Sequence, residues 1–482
     1  MMGANMLATL PELILANGAM LLLLSAAWMG DSATRGIGWI AIGILALAAL
    51  SLIGTGGHRV VAFDGLYRAD AFATFAKLLV YAAAAVSIVI APGWFARSGA
   101  LRAEYPILIL LSCVGMGMMV SATDLLTLYV GLELQSLAAY VLASFMRRDG
   151  RSAEAGLKYF ILGALASGIL LYGIALLYGF SGTTLFDGIA AAFGTSADRA
   201  IQAGRLMGIV FVFAGLTFKI AAVPFHMWTP DVYEGAPTPV TAFFASAPKV
   251  AAMALLVRVA VEALGPITAE WRQIIIFCAL ASTVLGGVAA IGQTNMKRLL
   301  AYSSINNVGF ALMGLVPGTA AGVSAVLTYM TVYIVMTLGS FLCVMRMRDA
   351  DGRQVEDIGA LSGLSRTRPG LAAALAIFMF SLAGIPPLFG FWPKFVVFDA
   401  LVQIGMWPLA AIGIATSVIG AYYYLKIVKT MYFDDPAPAF APSDNRVEGG
   451  LIVVAAAAVS PLGYLAIPFL GAATLAAARA LF

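Results

Sequence analysis

The apolar residues of this chain are gathered in long blocks, each about as long as a lipid bilayer is thick. An α-helix rises about 1.5 Å per residue, so about 20 apolar residues cross a hydrocarbon core of roughly 30 Å. The pattern therefore predicts an all-α, polytopic membrane protein with about 14 transmembrane helices. The predicted segments are 10–28, 36–54, 71–91, 105–121, 124–146, 155–180, 204–223, 238–261, 273–292, 298–316, 321–345, 370–404, 407–432 and 449–472.

Two segments carry signals for an interrupted helix. The block 370–404 is too long for one straight crossing and contains the successive prolines Pro386 and Pro387. The block that ends at Pro224 is followed by a further apolar piece. Because the interruptions fall in separate halves, the sequence predicts two inverted five-helix repeats, each with a broken helix. The predicted division is 1–104 for helices 1 to 3, 105–262 for the first repeat, 263–432 for the second, inverted repeat, and 433–482 for a loop and helix 14.

Composition narrows the possible functions. Hydrophobic residues make up 62% of the chain and charged residues 11%, whereas an ordinary soluble domain has about 25% charged residues. The net charge of +4 is spread over short loops, so nucleic acid is not an expected partner. The three cysteines lie far apart in apolar segments, where packing is their simplest role. With only two histidines, of which His58 is in a loop, bis-histidine haem and iron–sulfur clusters are not expected.

Lysine and arginine are distributed unequally between the predicted loops. With the N-terminus outside, about 15 of them fall in inner loops and about 6 in outer loops. This asymmetry favours an even number of crossings with both termini outside. The alanine-rich composition and the lack of an organellar targeting segment indicate a bacterial inner (plasma) membrane.

Four ionisable residues are predicted to lie at membrane depth: Glu133, Lys219, Lys249 and Lys394. Two of the lysines flank the interruptions, Lys219 before the first and Lys394 after the second. A charge at the centre of a spanning helix costs at least ~2.5–3.5 kcal/mol, so such residues usually mark ion or proton routes. A single buried lysine can instead snorkel or form a structural ion pair. Four together favour a transport role, because unwound backbone at this depth can meet water.

Four further residues leave alternatives open. Lys158 lies four residues after Glu154, a spacing that commonly stabilises a helix surface but could also serve proton transfer. His226 in the first interrupted segment could relay protons or cap exposed carbonyls. Lys77 and Lys426 could both snorkel and stay outside the main set.

Three long motifs carry a resemblance to a known family. They are KIAAVPFHMWTPDVYEGAPTPV at 219–240, KRLLAYSS at 297–304 and GIPPLFGFWPK at 384–394. They closely resemble signatures of the antiporter-like subunits of NADH:quinone oxidoreductase, respiratory complex I. The chain resembles the subunit N branch in ending soon after its last helix, without the lateral helix of subunit L. It also resembles that branch at Lys394, after the second interruption, where subunit M has a glutamate.

The resemblance implies roles for the buried charges. Glu133 would partner Lys219, Lys249 would be the central relay, and Lys394 would exchange the proton at the end. Lys158 and Glu154 would belong to a link near the cytoplasmic side. One departure is visible, because Asn307 stands where the family often has a histidine, and an asparagine side chain cannot titrate.

The function expected on these grounds is proton translocation by a non-redox subunit of a translocating NADH:quinone oxidoreductase. NADH, FMN, iron–sulfur clusters and quinone would be bound by other subunits, since no dinucleotide or Walker motif occurs here. The partners would be the lipid bilayer and other membrane-arm subunits, including other antiporter-like ones, in a hetero-oligomer. The nearest alternative is a subunit of a multisubunit cation/proton antiporter; a solute carrier or a structural scaffold is more distant.

Overall fold

The computed structural model of the protein describes residues 2–53, 59–193, 199–442 and 445–482. His58 lies outside the described residues. The described chain is a bundle of helices with one short antiparallel hairpin, formed by β1 (Val60–Ala62) and β2 (Tyr67–Ala69). The first half contains α1 (Met2–Ala8), α2 (Leu10–Met29), α3 (Thr34–Ser51), α4 (Ala71–Arg97), α5 (Glu104–Ser121), α6 (Leu125–Ala143), α7 (Gly150–Ser181), α8 (Phe186–Phe193), α9 (Arg199–Ile220), α10 (Trp228–Gly235), α11 (Thr238–Phe244) and α12 (Ala247–Arg258).

The second half repeats this organisation without the hairpin. It contains α13 (Thr268–Ile291), α14 (Met296–Leu315), α15 (Ala320–Met345), α16 (Leu364–Thr367), α17 (Pro369–Ala383), α18 (Phe391–Gln403), α19 (Trp407–Phe433), α20 (Arg446–Val459) and α21 (Ile467–Arg479). A π-helical turn, Val259–Ala263, follows α12 directly.

Among the described residues, 12 helices are long and apolar enough to cross a membrane. Segments 298–316 and 370–404 are also present. Segment 298–316 is α14, and segment 370–404 is divided into α17 and α18, as the two prolines indicated. The last segment, predicted over 449–472, differs: it is divided into α20 and α21 by a 3₁₀ turn, Pro461–Ala466, because Pro461 lacks the N–H that would continue α20. The first interruption lies between α9 and α10. The predicted all-α polytopic fold with broken helices is therefore confirmed.

Two ends of the bundle can be told apart by their loops. What we call the basic end carries loops 98–103, 144–149, 292–295 and 346–357, which ion pairs and backbone bridges bring together. What we call the hairpin end carries 59–70, 122–124, 182–185 and 264–267. The charge asymmetry of the sequence corresponds to these two ends.

One local feature occurs twice, at opposite ends. Asp124 caps α6 by accepting hydrogen bonds from two backbone N–H groups and forms a backbone bridge with Leu185 at the hairpin end. Asn295 caps α14 in the same way and forms a bridge with Asp357 at the basic end. An inverted repeat requires corresponding features at opposite faces of the membrane. The boundaries of the two predicted repeats remain predictions.

The helices before and after each cap are packed equally closely in both halves. A Cβ on Gly115 of α5 would lie 2.5 Å from the backbone nitrogen of Gln135 on α6. A Cβ on Gly286 of α13 would lie 2.6 Å from the backbone nitrogen of Asn306 on α14. Small residues let helix backbones approach in this way inside a membrane. The two pairs of helices are thereby held in the same close packing.

Candidate functional site

Lys219 lies on the last turn of α9 and its side chain reaches α6. Its Nζ donates a hydrogen bond to Ser136 Oγ at 2.7 Å and lies 3.4 Å from Tyr140 Oη. Glu133 lies three positions before Ser136, which puts both residues on one face of α6. The Glu133 carboxylate accepts a hydrogen bond from the Ser167 hydroxyl of α7. Glu133 and Lys219 thus have separate hydrogen-bond partners, and no direct ion pair joins them among the described residues.

Lys249 is buried at the first interruption. Its side chain is on α12, it is 1% exposed, and its Nζ lies 3.4 Å from the carbonyl oxygen of Ile220, the last residue of α9. The Tyr233 ring lies 5.7 Å from the same nitrogen. Beyond Ile220 the backbone turns sharply, since Ala221 has a φ of 62°. The carbonyl end of a helix carries partial negative charge, so a cation is stabilised there.

Lys394 makes the corresponding contact at the second interruption. Its Nζ donates to the carbonyl oxygen of Ala383, the last residue of α17, at 2.9 Å and to Ser417 Oγ at 2.8 Å. The Phe310 ring lies 4.7 Å away. Gly384 has a φ of 79°, and a Cβ there would lie 2.8 Å from Lys394 Cδ. Glycine is thus required at this position by both its conformation and the space that the lysine occupies.

A buried network of hydroxyl and amide groups lies between α14, α15 and α19. Ser303 Oγ and Tyr424 Oη are 2.5 Å apart, and Asn307 Nδ2 donates to the Ser303 carbonyl at 2.7 Å. Tyr329 Oη donates to Asn307 Oδ1 at 2.7 Å. Asn307 lies three positions before Phe310 on α14, so the network extends to the surroundings of Lys394. The departure from histidine at 307 therefore places a hydrogen-bonding side chain at a junction between two tyrosines.

Sequence reasoning missed this network. Its members are Ser303, Asn307, Tyr329 and Tyr424; a separate hydrogen-bonded pair, Ser304 and Tyr333, lies on α14 and α15, and all six residues are buried. Tyr329 and Tyr333 are four residues apart on α15, a spacing that indicates one helix face. Hydroxyl side chains are common in membrane helices, however, so this signal alone does not distinguish a network from helix packing.

The second repeat differs from the first at the position of the carboxylate. Glu133 lies nine residues after the capping Asp124, and nine residues after the capping Asn295 stands Ser304. Ser304 accepts a hydrogen bond from Tyr333 Oη at 2.7 Å. The first half thus presents a titratable acid where the second half presents a neutral hydroxyl.

Lys158 and Glu154 belong to a larger ion network at the basic end. Lys158 Nζ lies 2.7 Å from Glu154 and 2.8 Å from Asp231. Alternating acids and bases continue from there to Lys297, which is 3% exposed. The whole network contains Glu154, Lys158, Asp231, Arg298, Glu234, Arg151, Glu356 and Lys297. Lys158 therefore has a partner beyond its own helix. Its two predicted roles, in a proton-transfer link and in stabilising the helix surface, stay predictions.

Two cavities adjoin this network and share Arg151 and Glu234 in their walls. Their volumes are about 360 Å³ and 220 Å³. Burial of the Glu356 carboxyl opposes its ionisation, but Lys297 and Arg151 outweigh this effect and hold the pKa of Glu356 below its usual value. The ionised form of Glu356 is thus favoured beside space large enough for water.

For His226, proton relay and capping of exposed carbonyls both stay predictions. The residue is half-buried in the interrupted segment, and its Nδ1 has no hydrogen-bond partner among the described residues. Lys426 is exposed on α19, with a 3.4 Å contact from its Nζ to the Ile291 carbonyl. This exposure agrees with the expectation that Lys426 lies outside the main set.

Lys77 corrects an expectation. A snorkelling lysine would be exposed at its tip, but Lys77 is 1% exposed and its Nζ lies 2.7 Å from Glu12 Oε1 and 2.7 Å from Tyr67 Oη. Tyr67 Oη in turn donates to Glu12 Oε2 at 2.8 Å. The carboxylate of Glu12 is also inside the bundle, and its charge stabilises the buried Lys77 amine there.

Comparison with known proteins agrees with this architecture. Residues 122–420 match the family described as NADH:quinone oxidoreductase/Mrp antiporter, TM. NADH-quinone oxidoreductase subunit N of Rhizorhabdus wittichii is 72% identical over 483 residues and covers 100% of both chains. A chain in the structure of respiratory complex I from Thermus thermophilus is 32% identical, with a TM-score of 0.80, covering 95% of this chain and 98% of that one.

A chain of the Mrp complex from Dietzia sp. has the same fold, with a TM-score of 0.81 at 23% identity over 100% of this chain and 98% of that one. The protein therefore belongs to the NADH:quinone oxidoreductase/Mrp antiporter family of membrane proteins. Within that family, its full-length relatives place it in the NADH-quinone oxidoreductase subunit N group.

Proposed function

We propose that this chain carries protons across the membrane as a subunit of NADH:quinone oxidoreductase, using Glu133, Lys219, Lys249 and Lys394 as its relay. The observation that carries the proposal is the surroundings of the three lysines. Each amine is buried, and each is bonded to hydroxyl or carbonyl oxygens rather than to a carboxylate among the described residues. Such a charge is poorly compensated, so a small change in nearby charge decides whether the amine holds its proton.

A single neighbouring charge is sufficient to change the protonation of such an amine. Two unit charges 4 Å apart attract by about 4 kcal/mol at an effective dielectric constant of 20. Glu133 lies one helical turn from Ser136, the residue to which the Lys219 amine donates its hydrogen bond. Movement or neutralisation of Glu133 would therefore load or unload Lys219, and the change would pass to Lys249 and then to Lys394, the terminal exchange site. Lys158, Glu154 and His226 are secondary members of the proposed route.

In this proposal the electron transfer from NADH to quinone takes place in other subunits, which hold NADH, FMN, the iron–sulfur clusters and quinone. The chain is then a non-redox subunit of an enzyme complex, in contact with other antiporter-like subunits. The names of its full-length relatives and of the Thermus thermophilus complex support this assignment.

The test uses the complex reconstituted into vesicles. Lys219→Ala and Glu133→Ala should each lose much of the proton pumping while the complex still assembles. Lys426→Ala is the matched control, because this lysine is exposed and outside the relay. Full pumping in both relay variants would refute the site assignment.

A second candidate is a subunit of a multisubunit cation/proton antiporter, which the shared fold with the Mrp complex chain favours. Vesicles that contain the protein and its partners would then exchange sodium for protons without any NADH. Proton pumping that depends on NADH oxidation, without such exchange, would exclude this candidate.

We further propose that the basic end faces the cytoplasm of a bacterial cell and that both termini lie outside. Support comes from the excess of arginine and lysine at that end. The three native cysteines are buried, so cysteines introduced at the termini can be labelled in intact cells with little background. Labelling by an impermeant maleimide is expected at both termini, and protection of either terminus would contradict this orientation.

A further inference from the structure

A second buried ion cluster lies at the hairpin end, away from the three lysines of the relay. Arg258 is 0% exposed, and its Nη2 lies 2.8 Å from both carboxylate oxygens of Asp70. Its Nη1 lies 3.2 Å from Glu262 Oε1. Arg68 Nη1 donates to that same Glu262 oxygen at 2.7 Å. The Arg258 guanidinium thus contacts two carboxylates through two separate nitrogens, and charge-assisted contacts of this kind fix geometry as well as charge.

This cluster holds one end of the helix that carries Lys249. Arg258 is the last residue of α12, nine residues after Lys249, which is about 14 Å along the helix axis. The π-helical turn that follows, Val259–Ala263, includes Glu262. Asp70 is itself anchored, because its Oδ1 accepts a hydrogen bond from Ala73 N as the cap of α4. The Arg258–Asp70 contact therefore connects the end of α12 to the beginning of α4.

The residues between Lys249 and Arg258 are closely packed on all sides of α12. Val250 to Val257 are all exposed by 4% or less. A packed helix of this kind transmits an axial shift from one end to the other, because close-packed interiors deform little. The Lys249 contact with the Ile220 carbonyl is already 3.4 Å long, near the limit for a hydrogen bond. A small shift of α12 would therefore remove it.

We propose that the Arg258–Asp70 pair is a positioning device that sets the axial position of α12 and so holds the Lys249 amine at the carbonyl end of α9. The proposal rests on the proton-relay function proposed above. Arg258 and Asp70 are positioning residues, and they act on proton transfer only through Lys249.

The chain offers a matched control cluster. Glu12, Lys77 and Tyr67 form a buried triad with an ion pair of 2.7 Å, and Tyr67 is the neighbour of Arg68 on β2. The triad joins α2, α4 and the hairpin, and within the described part of the chain none of its hydrogen bonds or ion pairs goes to α12. Both clusters thus stabilise the same end of the molecule, but one of them alone holds the Lys249 helix.

The experiment compares Asp70→Asn with the double variant Glu12→Leu/Lys77→Met in the reconstituted complex. The double variant removes both charges, so it leaves no buried charge unpaired. Two quantities are measured at equal amounts of assembled complex: protons pumped per NADH oxidised, and the pH at which pumping is half-maximal. We expect Asp70→Asn to lower the proton ratio as far as Lys249→Met does and to shift the pH midpoint, because the Lys249 amine loses its hydrogen bond to the Ile220 carbonyl. The double variant should match the wild type in both.

Two further variants keep the result decisive. Asp70→Glu retains the carboxylate and should recover part of the proton ratio. Arg258→Lys retains the charge but cannot hold Asp70 and Glu262 through two separate nitrogens, so it should behave like Asp70→Asn. A wild-type ratio and pH midpoint in Asp70→Asn and Arg258→Lys would overturn the proposal. Equal losses in both clusters, or failure of both α12-side variants to assemble, would also overturn it in favour of a folding role.

Lys249→Met in the same preparations separates this inference from the proposed function. Normal pumping by Lys249→Met would refute the relay itself. Loss of pumping in Lys249→Met together with normal pumping in Asp70→Asn would refute only the positioning role.

Discussion

Two buried lysines with the same exposure are predicted to respond in opposite ways to the same substitution. Lys249 and Lys77 are each 1% exposed. Lys249 has one weak contact, 3.4 Å to the Ile220 carbonyl, and an aromatic ring at 5.7 Å. Lys77 has a carboxylate partner, Glu12, at 2.7 Å. Replacement of each lysine by methionine keeps the length of the side chain and removes its amine.

The magnitudes follow from the partners that remain. Burial of an ammonium costs several kcal/mol, which a cation–π contact of about 2 kcal/mol and a hydrogen bond of about 1 kcal/mol offset only in part. Lys249→Met should therefore stabilise the protein by about 1–3 kcal/mol while it abolishes pumping. Lys77→Met leaves the Glu12 carboxylate buried without its cation, so it should destabilise the protein by about 3–5 kcal/mol.

The assay uses the three native cysteines, Cys113, Cys278 and Cys343, which are all buried. The purified complex is heated in the presence of a maleimide, and mass spectrometry of the cysteine peptides reports how much of this chain has opened at each temperature. Lys249→Met should raise the midpoint of labelling by a few degrees and Lys77→Met should lower it. Shifts in the same direction for both variants would refute the argument that partner geometry decides the sign.

Three other predictions follow from the same contacts. Glu356→Gln should lower the thermal unfolding midpoint at pH 7, and this difference should shrink as the pH falls below about 4.3, because a carboxyl group with a lowered pKa stabilises the protein above its unfolded pKa and loses this effect as the pH falls through its folded pKa. Tyr424→Phe, which removes the contact with Ser303, should slow NADH-driven pumping about three- to tenfold with normal assembly; unchanged pumping would exclude a role for the network. Gly115→Ala and Gly286→Ala should each destabilise the protein by about 1–3 kcal/mol in the same assay, and a tolerated alanine at either position would contradict the close packing described there.

The sequence was informative wherever the signal is local. Apolar length predicted the crossings, and the proline pair at Pro386 and Pro387 predicted the interruption that separates α17 from α18. Burial of Lys219, Lys249 and Lys394 was predicted from their depth in apolar segments, and the structure buries all three. These properties depend on a residue and its near neighbours along the chain.

Partners were harder to predict. Glu133 was predicted to partner Lys219, and this pairing stays a prediction; the structure adds that the carboxylate accepts a hydrogen bond from Ser167 on α7 and that the amine donates to Ser136 on α6. Snorkelling was considered for Lys77, yet the residue is buried and paired with Glu12, 65 positions earlier in the chain. Neither result can be read from spacing, since it depends on how helices far apart in sequence pack together.

The sequence by itself therefore determined which segments cross the membrane, where two of them break, and which charged side chains lie at depth, because the cost of placing each residue in hydrocarbon is set residue by residue. The tertiary structure alone decided that Lys249 and Lys394 each meet the carbonyl end of a broken helix, and that Ser303, Asn307 and Tyr424 form one network. Some of these contacts join residues far apart in sequence, such as Ser303 and Tyr424. Their geometry is set by close packing at positions such as Gly115 and Gly286, and not by any local preference.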